Sequence, residues 1–340
     1  MRGFHIGWRL GIAVVATVAA TSTLVAPAVV SAAPVDLAGV AAQVEPAVAR
    51  IDTTINYQHA IGAGTGIVLD PNGVVMTNFH VVQGADTITA TVTGRSFPAD
   101  LVGYDRTADV AVLQLRGAAG LPVAVLGDSS QLAQGDPVVA LGNASGSASP
   151  LTQEAGAVVA FGRTISAKDE LTGSSNQMRG LIEFAAPVRA GDSGGPLVNG
   201  SGQVVGMTTA ATLNYRMGPG GSGFAIPIND ALGVAGQIRS RTPSDSVHIG
   251  PPTLLGVGVN SREQSQTLPG VILFEVLRGG PAQQAGLHDG DVLLSINGEQ
   301  LSSATALTDV LDRHYPGDVV DLVWIDRAGQ QQTGKATLAS

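Results

Sequence analysis

Ser193 stands in "RAGDSGGPLV" (189–198), set between glycines and followed closely by a proline, where a hydroxyl would be presented on a sharply turned backbone. A free serine hydroxyl is a weak nucleophile and needs a base within hydrogen-bond reach. Two frames fit these letters. Gly191 to Gly195 satisfies the G-x-S-x-G elbow, in which the serine lies between a strand and a helix and its histidine follows in chain order. The other frame runs histidine, aspartate, serine, with the first two at strand ends of one β-barrel. After Gly195 comes "PLVNGSGQVVGM", which reads as strand, turn and strand, and His248, His288 and His314 all lie outside the serine's own domain. His80 in "MTNFHVV" directly follows an apolar strand pattern, and Asp109 in "RTADVAVLQL" directly precedes one. Chain order therefore selects the second frame. His59, in a predicted turn, is read as a surface residue.

In that frame His80 is the base that takes the Ser193 proton. Asp109 holds the imidazole in the useful tautomer and stabilises the imidazolium. Gly191 lets the backbone turn so that its own N–H and that of Ser193 converge on one point, an oxyanion hole.

The elements that must position these groups are short and β-type. "VARIDTTI", "GTGIVLD", "GVVMTNF", "TITATVT", "DVAVLQL", "DPVVALGN" and "GQVVGMTTA" recur with turn residues between them, which predicts an all-β barrel or sandwich over residues 36–240. "QIRSRTPSDSVHIGPP" breaks the pattern with polar and proline residues, so 241–252 is expected to be a linker. Residues 253–340 read as a small α+β module. Its strands are "GVILFEV", "DVLLSING" and "DVVDLVWID", its helices "GGPAQQAGL" and "SATALTDVLDRHY", the second capped by Ser302 or Ser303.

Residues 1–32 carry Arg2 and Arg9, then an apolar run with small residues Val30 and Ala32 at its end, which predicts an export signal cut after Ala32. Retention of this run as a membrane anchor is the alternative; with cleavage, no stable membrane span remains. The chain is expected to be secreted or held in the cell envelope. Its net charge is −9, and loss of the two arginines makes it −11. That balance, with no Lys/Arg cluster, excludes a nucleic-acid partner. With no cysteine, stability must come from hydrophobic cores, and about 300 residues suffice for two of them. "GAGTG" (62–66) mimics a phosphate-binding glycine loop, but a strand follows it, not a helix. "HDGD" (288–291) has too few ligands for calcium. No cofactor and no metal are expected.

The histidine block "TNFHVV", the aspartate block "DVAVL" and the serine block "GDSGGPL", with "GAGTGIVLD", "VVALGNASG", "TQEAGAVVAFGRTI" and "GSGFAIPI", resemble the HtrA or DegP family of trypsin-like serine proteases over nearly all of 36–340. With its Ala and Gly richness and its signal sequence, the chain looks most like the secreted mycobacterial PepA-type members. The resemblance implies a mainly β fold, a two-barrel chymotrypsin-like protease domain followed by a PDZ domain. It implies a serine endopeptidase that acts through an acyl-enzyme on unfolded or extended proteins. A catalytically quiet PDZ binding or chaperone-like protein is the alternative, and an elbow-type esterase a third reading already weakened by chain order.

The family's usual asparagine before the serine is here Asp192. A buried carboxylate needs a partner, and Arg163 in "FGRTI" is expected to supply it and so lock the loop, with Arg189 the nearer alternative. In this fold one wall of the S1 pocket comes from Ala186, Pro187 and Val188, the other from Thr209, Ala210, Ala211 and Gly223, so small or medium aliphatic P1 residues are expected. "TLLGVGV" and the following segment resemble the HtrA subtype of PDZ domain, in which Leu255, Gly256 and Val257 would receive the C-terminal carboxylate of a peptide added as a strand. A purely structural cap is the alternative. Family trimers use N-terminal aromatic residues, and none lies between Ala33 and Tyr57, which leaves monomer and trimer both open.

Overall fold

A computed structural model describes residues 35–55, 60–144, 146, 150–168, 175–209, 221–259 and 269–340. The expected export signal and Ala210 and Ala211 lie outside the described residues. No helix among those described is long and apolar enough to cross a membrane.

A short helix, α1 (Leu37–Val44), precedes the first barrel. Its strands are β1 (Val48–Ile55), β2 (Ala60–Asp70), β3 (Val74–Thr77), β4 (Thr87–Val92), β5 (Arg95–Asp105) and β6 (Val110–Leu115), with the single turn α2 (Phe79–Val82) after β3. Neighbours pair in the order β5-β4-β1-β2-β3-β6, and β6 pairs again with β5, closing the ring. The second barrel is closed as β10-β11-β12-β9-β8-β7, from β7 (Pro137–Gly142), β8 (Thr152–Lys168), β9 (Ser175–Phe184), β10 (Pro196–Asn199), β11 (Val204–Thr209) and β12 (Gly223–Pro227). Closure pairs the edges of both sheets among the described residues.

The barrels share one core. Ile67, Met76 and Val112 of the first pack in one cluster with Val139, Leu141, Val198 and Met207 of the second. Helix α3 (Ile228–Arg239) adds Ile228, Ala231, Ala235 and Ile238 to it, a stripe at helical spacing. The residues that carry the candidate site thus hang on two rings whose relation is fixed by common apolar burial.

Part of the expected linker is a strand. β13 (Val247–Ile249) pairs with β5 through Val247 and Asp105, His248 and Tyr104, and Ile249 and Gly103. Beyond it a mixed module contains β14 (Val257–Val259), β15 (Val271–Val276), β16 (Val292–Ile296), β17 (Glu299–Gln300), β18 (Val319–Ile325) and β19 (Gln331–Thr337), with helices α4 (Pro281–Gln284) and α5 (Ala304–Asp312). Ser303 caps α5, its hydroxyl accepting the Ala306 N–H. Leu273, Leu293, Leu307, Val320 and Trp324 form the module's own core.

The module is bolted to the first barrel by a stack of rings. Phe79 lies 4.0 Å from Tyr104, Tyr104 lies 5.0 Å from His248, and His248 lies 4.4 Å from Tyr315 between ring centroids. At its edge the Asp312 carboxylate accepts from Tyr104 Oη (2.8 Å) and from Arg106 Nε (2.5 Å) and Nη2 (3.0 Å). Burial, and then the Asp312 charge, hold the Tyr104 hydroxyl above its ordinary range. Removing one partner of a sequestered charge pair leaves the other uncompensated. Asp312→Ala is therefore expected to cost about 3 kcal/mol, the low end for buried pairs, because both side chains keep some contact with water. Asp321→Ala, at the exposed pair with Lys335, should cost no more than about 1 kcal/mol. Scanning calorimetry of the two variants checks the difference.

Candidate active site

His80 is held in the turn α2 at the end of β3, and Asp109 in the turn before β6. The strands on which both ride pair directly through Thr77 and Ala111. His80 Nδ1 lies 2.8 Å from Asp109 Oδ2, and the His80 backbone N–H donates to Oδ1 at 3.0 Å. One carboxylate thus fixes both the ring and the main chain of the histidine. With Nδ1 turned to the acid, Nε2 faces away from it and is the nitrogen that can exchange a proton with a substrate-side group. The Asp109 side chain is 7% exposed and that of His80 42%, which places the acid inside and the ring at the cleft.

Asp109 adopts φ +55, an unusual conformation outside glycine. Asn78 holds it there, its Nδ2 donating to the Asp109 carbonyl at 2.9 Å. Thr209 Oγ1 donates to Asp109 Oδ2 at 3.4 Å. Neither contact follows from the sequence reading. Asn78 was visible only as part of "TNFHVV". Thr209, expected on an S1 wall, is 1% exposed and directs its hydroxyl to the aspartate.

Ser193 is buried on the loop between β9 and β10. Its carbonyl accepts the Thr65 N–H (2.8 Å) of the first barrel, and Gly194 N–H donates to Thr208 O (2.8 Å) of the second. Gly191 has φ +97 and Gly194 φ +84, and a Cβ on Gly194 would lie 2.1 Å from Thr65 O and 2.3 Å from Thr77 Oγ1. Only glycine lets the loop come this close to the strand that leads into His80. Gly194, the neighbour of Ser193, thus lies against Thr77 and Asn78, shortly before His80 in the chain, at the seam between the barrels.

The expected Asp192–Arg163 pair is not formed. Asp192 is 2% exposed, and its Oδ1 accepts from Thr152 Oγ1 (2.5 Å) and Ala144 N–H (3.2 Å), its Oδ2 from Arg189 N–H (2.9 Å). Three donors solvate the carboxylate, and among the described residues none of its partners is a counter-ion. Arg163 instead pairs with Glu183, Nε to Oε2 at 2.7 Å, and the Arg189 guanidinium lies 3.6 Å from Glu154. Arg189 serves Asp192 through its main chain alone.

On the S1 side, Ala186 and Val188 are buried in the second barrel's core with Phe184, whose ring would stand 2.4 Å from a Cβ on Gly223. Pro187 is half-buried, against Gly221. In the C-terminal module Gly256 has φ +77, and the carbonyls of Leu255 and Gly256 accept the N–H groups of Ala282 and Leu277, both at 2.9 Å. Leu255 is 1% exposed, and its side chain belongs to the module's core. Val257 already pairs with Val276 of β15. No metal-binding cluster occurs among the described residues.

The Asp192 contacts carry a stability test. Thr152→Val removes a donor to a charged acceptor and is expected to cost about 1.5–3 kcal/mol in urea unfolding. Arg163→Ala should destabilise by stranding Glu183, and Glu183→Gln should relieve that loss; a pairing of Arg163 with Asp192 predicts no such rescue.

Residues 64–207 match the family model described as a trypsin-like peptidase domain, and residues 246–324 that of a PDZ domain. Serine protease PepD of Mycobacterium tuberculosis is 34% identical over 88% of this chain, which spans 65% of that protein's length. The Do-like serine protease HtrA of Lactobacillus helveticus is 31% identical over 81% of the chain, which spans 68% of it. Among solved structures, HtrA-type protease AlgW with tripeptide superposes with a TM-score of 0.51 at 29% identity, covering 89% of this chain and 96% of that one. Matched in this order along one chain, over two closed barrels and a mixed C-terminal module, these similarities establish that the chain belongs to the HtrA family of trypsin-like serine proteases with a PDZ domain.

Proposed function

We propose that this chain is an exported serine endopeptidase in which Ser193, His80 and Asp109 form the catalytic triad. The observation that carries this reading is the 2.8 Å contact between His80 Nδ1 and Asp109 Oδ2 beside a serine loop hydrogen-bonded to both barrels. In the reaction Ser193 Oγ attacks the peptide carbonyl carbon and its proton passes to His80 Nε2. The N–H groups of Gly191 and Ser193 stabilise the resulting oxyanion, each such donor contributing roughly 2.7–4 kcal/mol to the barrier in comparable sites. The C–N bond then breaks, His80 returns the proton to the leaving amine, and an ester remains on Ser193. Water, deprotonated by His80, hydrolyses the ester and restores the serine. Asp109 stays ionised throughout and stabilises the imidazolium.

The substrate class is read from the residues expected beside Ser193. Ala186, Pro187, Val188 and Gly223 offer no charge to a basic side chain, so unfolded or extended polypeptides with small or medium aliphatic P1 residues are the proposed substrates. Residues 246–324 are proposed to bind peptide C-termini by strand addition, with the backbone N–H groups of Leu255, Gly256 and Val257 receiving the carboxylate. The inward-turned carbonyls at Leu255 and Gly256 support this reading. Arg2, Arg9 and the apolar run up to Ala32 support export.

A fluorophosphonate should label the protein but not Ser193→Ala, and the same substitution should abolish casein cleavage, whose products should end in aliphatic P1 residues rather than Lys or Arg. Labelling without proteolysis would point to an esterase, and the absence of both to a binding protein. On the intact Ser193→Ala chain, an apolar peptide with a free C-terminus should bind at least tenfold more tightly than its C-terminal amide. Equal affinities would remove the carboxylate loop.

A further inference from the structure

Thr65, on β2, is fully buried and makes four hydrogen bonds to residues far apart in the chain. Its N–H donates to the Ser193 carbonyl at 2.8 Å. Its hydroxyl donates to the Gly191 carbonyl at 2.6 Å and accepts the Asn143 N–H at 2.9 Å. Its own carbonyl accepts Thr77 Oγ1 at 2.6 Å, one residue before Asn78 and three before His80. The Asn143 N–H also reaches the Gly191 carbonyl at 3.2 Å. Asn143 is fixed in turn, its Oδ1 accepting from Arg50 Nη1 at 3.0 Å.

These bonds fall on the two residues whose N–H groups are assigned to the oxyanion hole. A loop with glycine at 191 is free to rotate its peptide planes, and a carbonyl swung toward the substrate would place a negative dipole where a donor is needed. The carbonyls of Gly191 and Ser193 lie on the peptides that follow the two donor peptides. Tying both to Thr65 therefore fixes the 191–192 peptide between the donors and the 193–194 peptide after them, and opposes rotation of the donor peptides through the Cα atoms they share. A plain strand residue at position 65 would supply the N–H bond to Ser193 but not the hydroxyl bond to Gly191.

We propose that Thr65 is a positioning residue for the oxyanion hole, its hydroxyl holding the Gly191–Asp192 peptide, which joins the two peptides that bear the donor N–H groups, so that both donors keep the orientation that stabilises the transition state. The proposal rests on the reading of Ser193 as nucleophile. It assigns to "GAGTG" a function in the second barrel's chemistry, although that segment belongs to the first barrel and touches no reacting atom.

Thr65→Val keeps the shape and removes the hydroxyl, whereas Thr65→Ser keeps the hydroxyl. With a chromogenic peptide ester or amide, Thr65→Val should lose about 10- to 100-fold in kcat with KM within threefold, a drop below that of deleting a donor outright. Thr65→Ser should stay within about threefold of wild type. Affinity for a peptide boronate, which forms a tetrahedral adduct with Ser193, should weaken in parallel with kcat, while affinity for the product peptide should not change. A purely structural role would lower the unfolding midpoint and leave kcat and boronate affinity intact below it. Thr65→Ala carries the same comparison should the valine variant not fold. Wild-type kcat and boronate affinity in the variant lacking the hydroxyl, or equal losses in the valine and serine variants, would overturn the proposal. Absence of fluorophosphonate labelling in the wild type would instead overturn the reading of Ser193 itself.

Discussion

The backbone of residues 191–195 is hydrogen-bonded to both barrels at once, and the geometry of the cleft depends on that. A loop this rich in glycine has little conformational preference of its own, and ordering it carries a large entropic cost. Thr65 N–H and Oγ1 from one barrel and Thr208 O from the other hold it from opposite sides. The shared core beneath, from Ile67 and Met76 to Leu141 and Met207, keeps the two sides in register. Catalytic groups drawn from separate sheets need such a seam, because sub-ångström placement cannot come from a loop alone.

Asp192 illustrates how a buried charge can be accommodated without an opposite charge. Desolvating a carboxylate is costly, and an ion pair is one remedy; a set of well-placed neutral donors is another. Here Thr152 Oγ1 and the N–H groups of Ala144 and Arg189 fill that role. Two of the three are main-chain groups of segments flanking the serine loop. The carboxylate therefore ties the chain at 144, 152 and 189 to the residue beside Ser193. Asparagine at this position would offer a single carbonyl acceptor in place of two charged oxygens.

The sequence pointed to the proposed triad because His80, Asp109 and Ser193 each lie in a distinct block and their order along the chain fits one barrel arrangement, and the structure pairs the first two of them. The alternation of short apolar runs likewise disclosed β1 to β4, β6, β7 and β11, but not β5, β8, β9 or β12. Helix α3 was hidden: Pro227 precedes it and Gly233 and Gly236 lie within it, a composition that masks helical periodicity. β13 was hidden by length, since three residues between polar and proline-rich flanks carry no periodic signal. The Asp192 partners could not be read because two of them are backbone N–H groups, which every residue but proline possesses. Arg163 looked suitable by charge, yet register places it opposite Leu181 on β9, within reach of Glu183. Identity indicates which groups could pair, and register decides which do.

The same logic extends to the join between the protease barrels and the C-terminal module. Asp105 opens a turn that ends at Asp109, its Oδ1 accepting the Ala108 N–H and its Oδ2 the Ser246 hydroxyl. Arg106, within that turn, reaches across to Asp312 and lies over the Phe79 ring at 4.8 Å. Phe79 is the neighbour of His80, and Asp109 is the residue the turn must hold at φ +55. His248, on the strand that leads out of the barrel, places Nδ1 2.9 Å from the Asp312 carbonyl and Nε2 3.0 Å from that of Pro251. The C-terminal module thus contributes hydrogen bonds and ring contacts to the turn that bears the aspartate and to the residue beside the histidine. A strained backbone conformation persists only where its surroundings over-determine it. Here part of those surroundings comes from a module whose own core is separate, so the support of Asp109 and His80 is drawn from both the barrels and the C-terminal module.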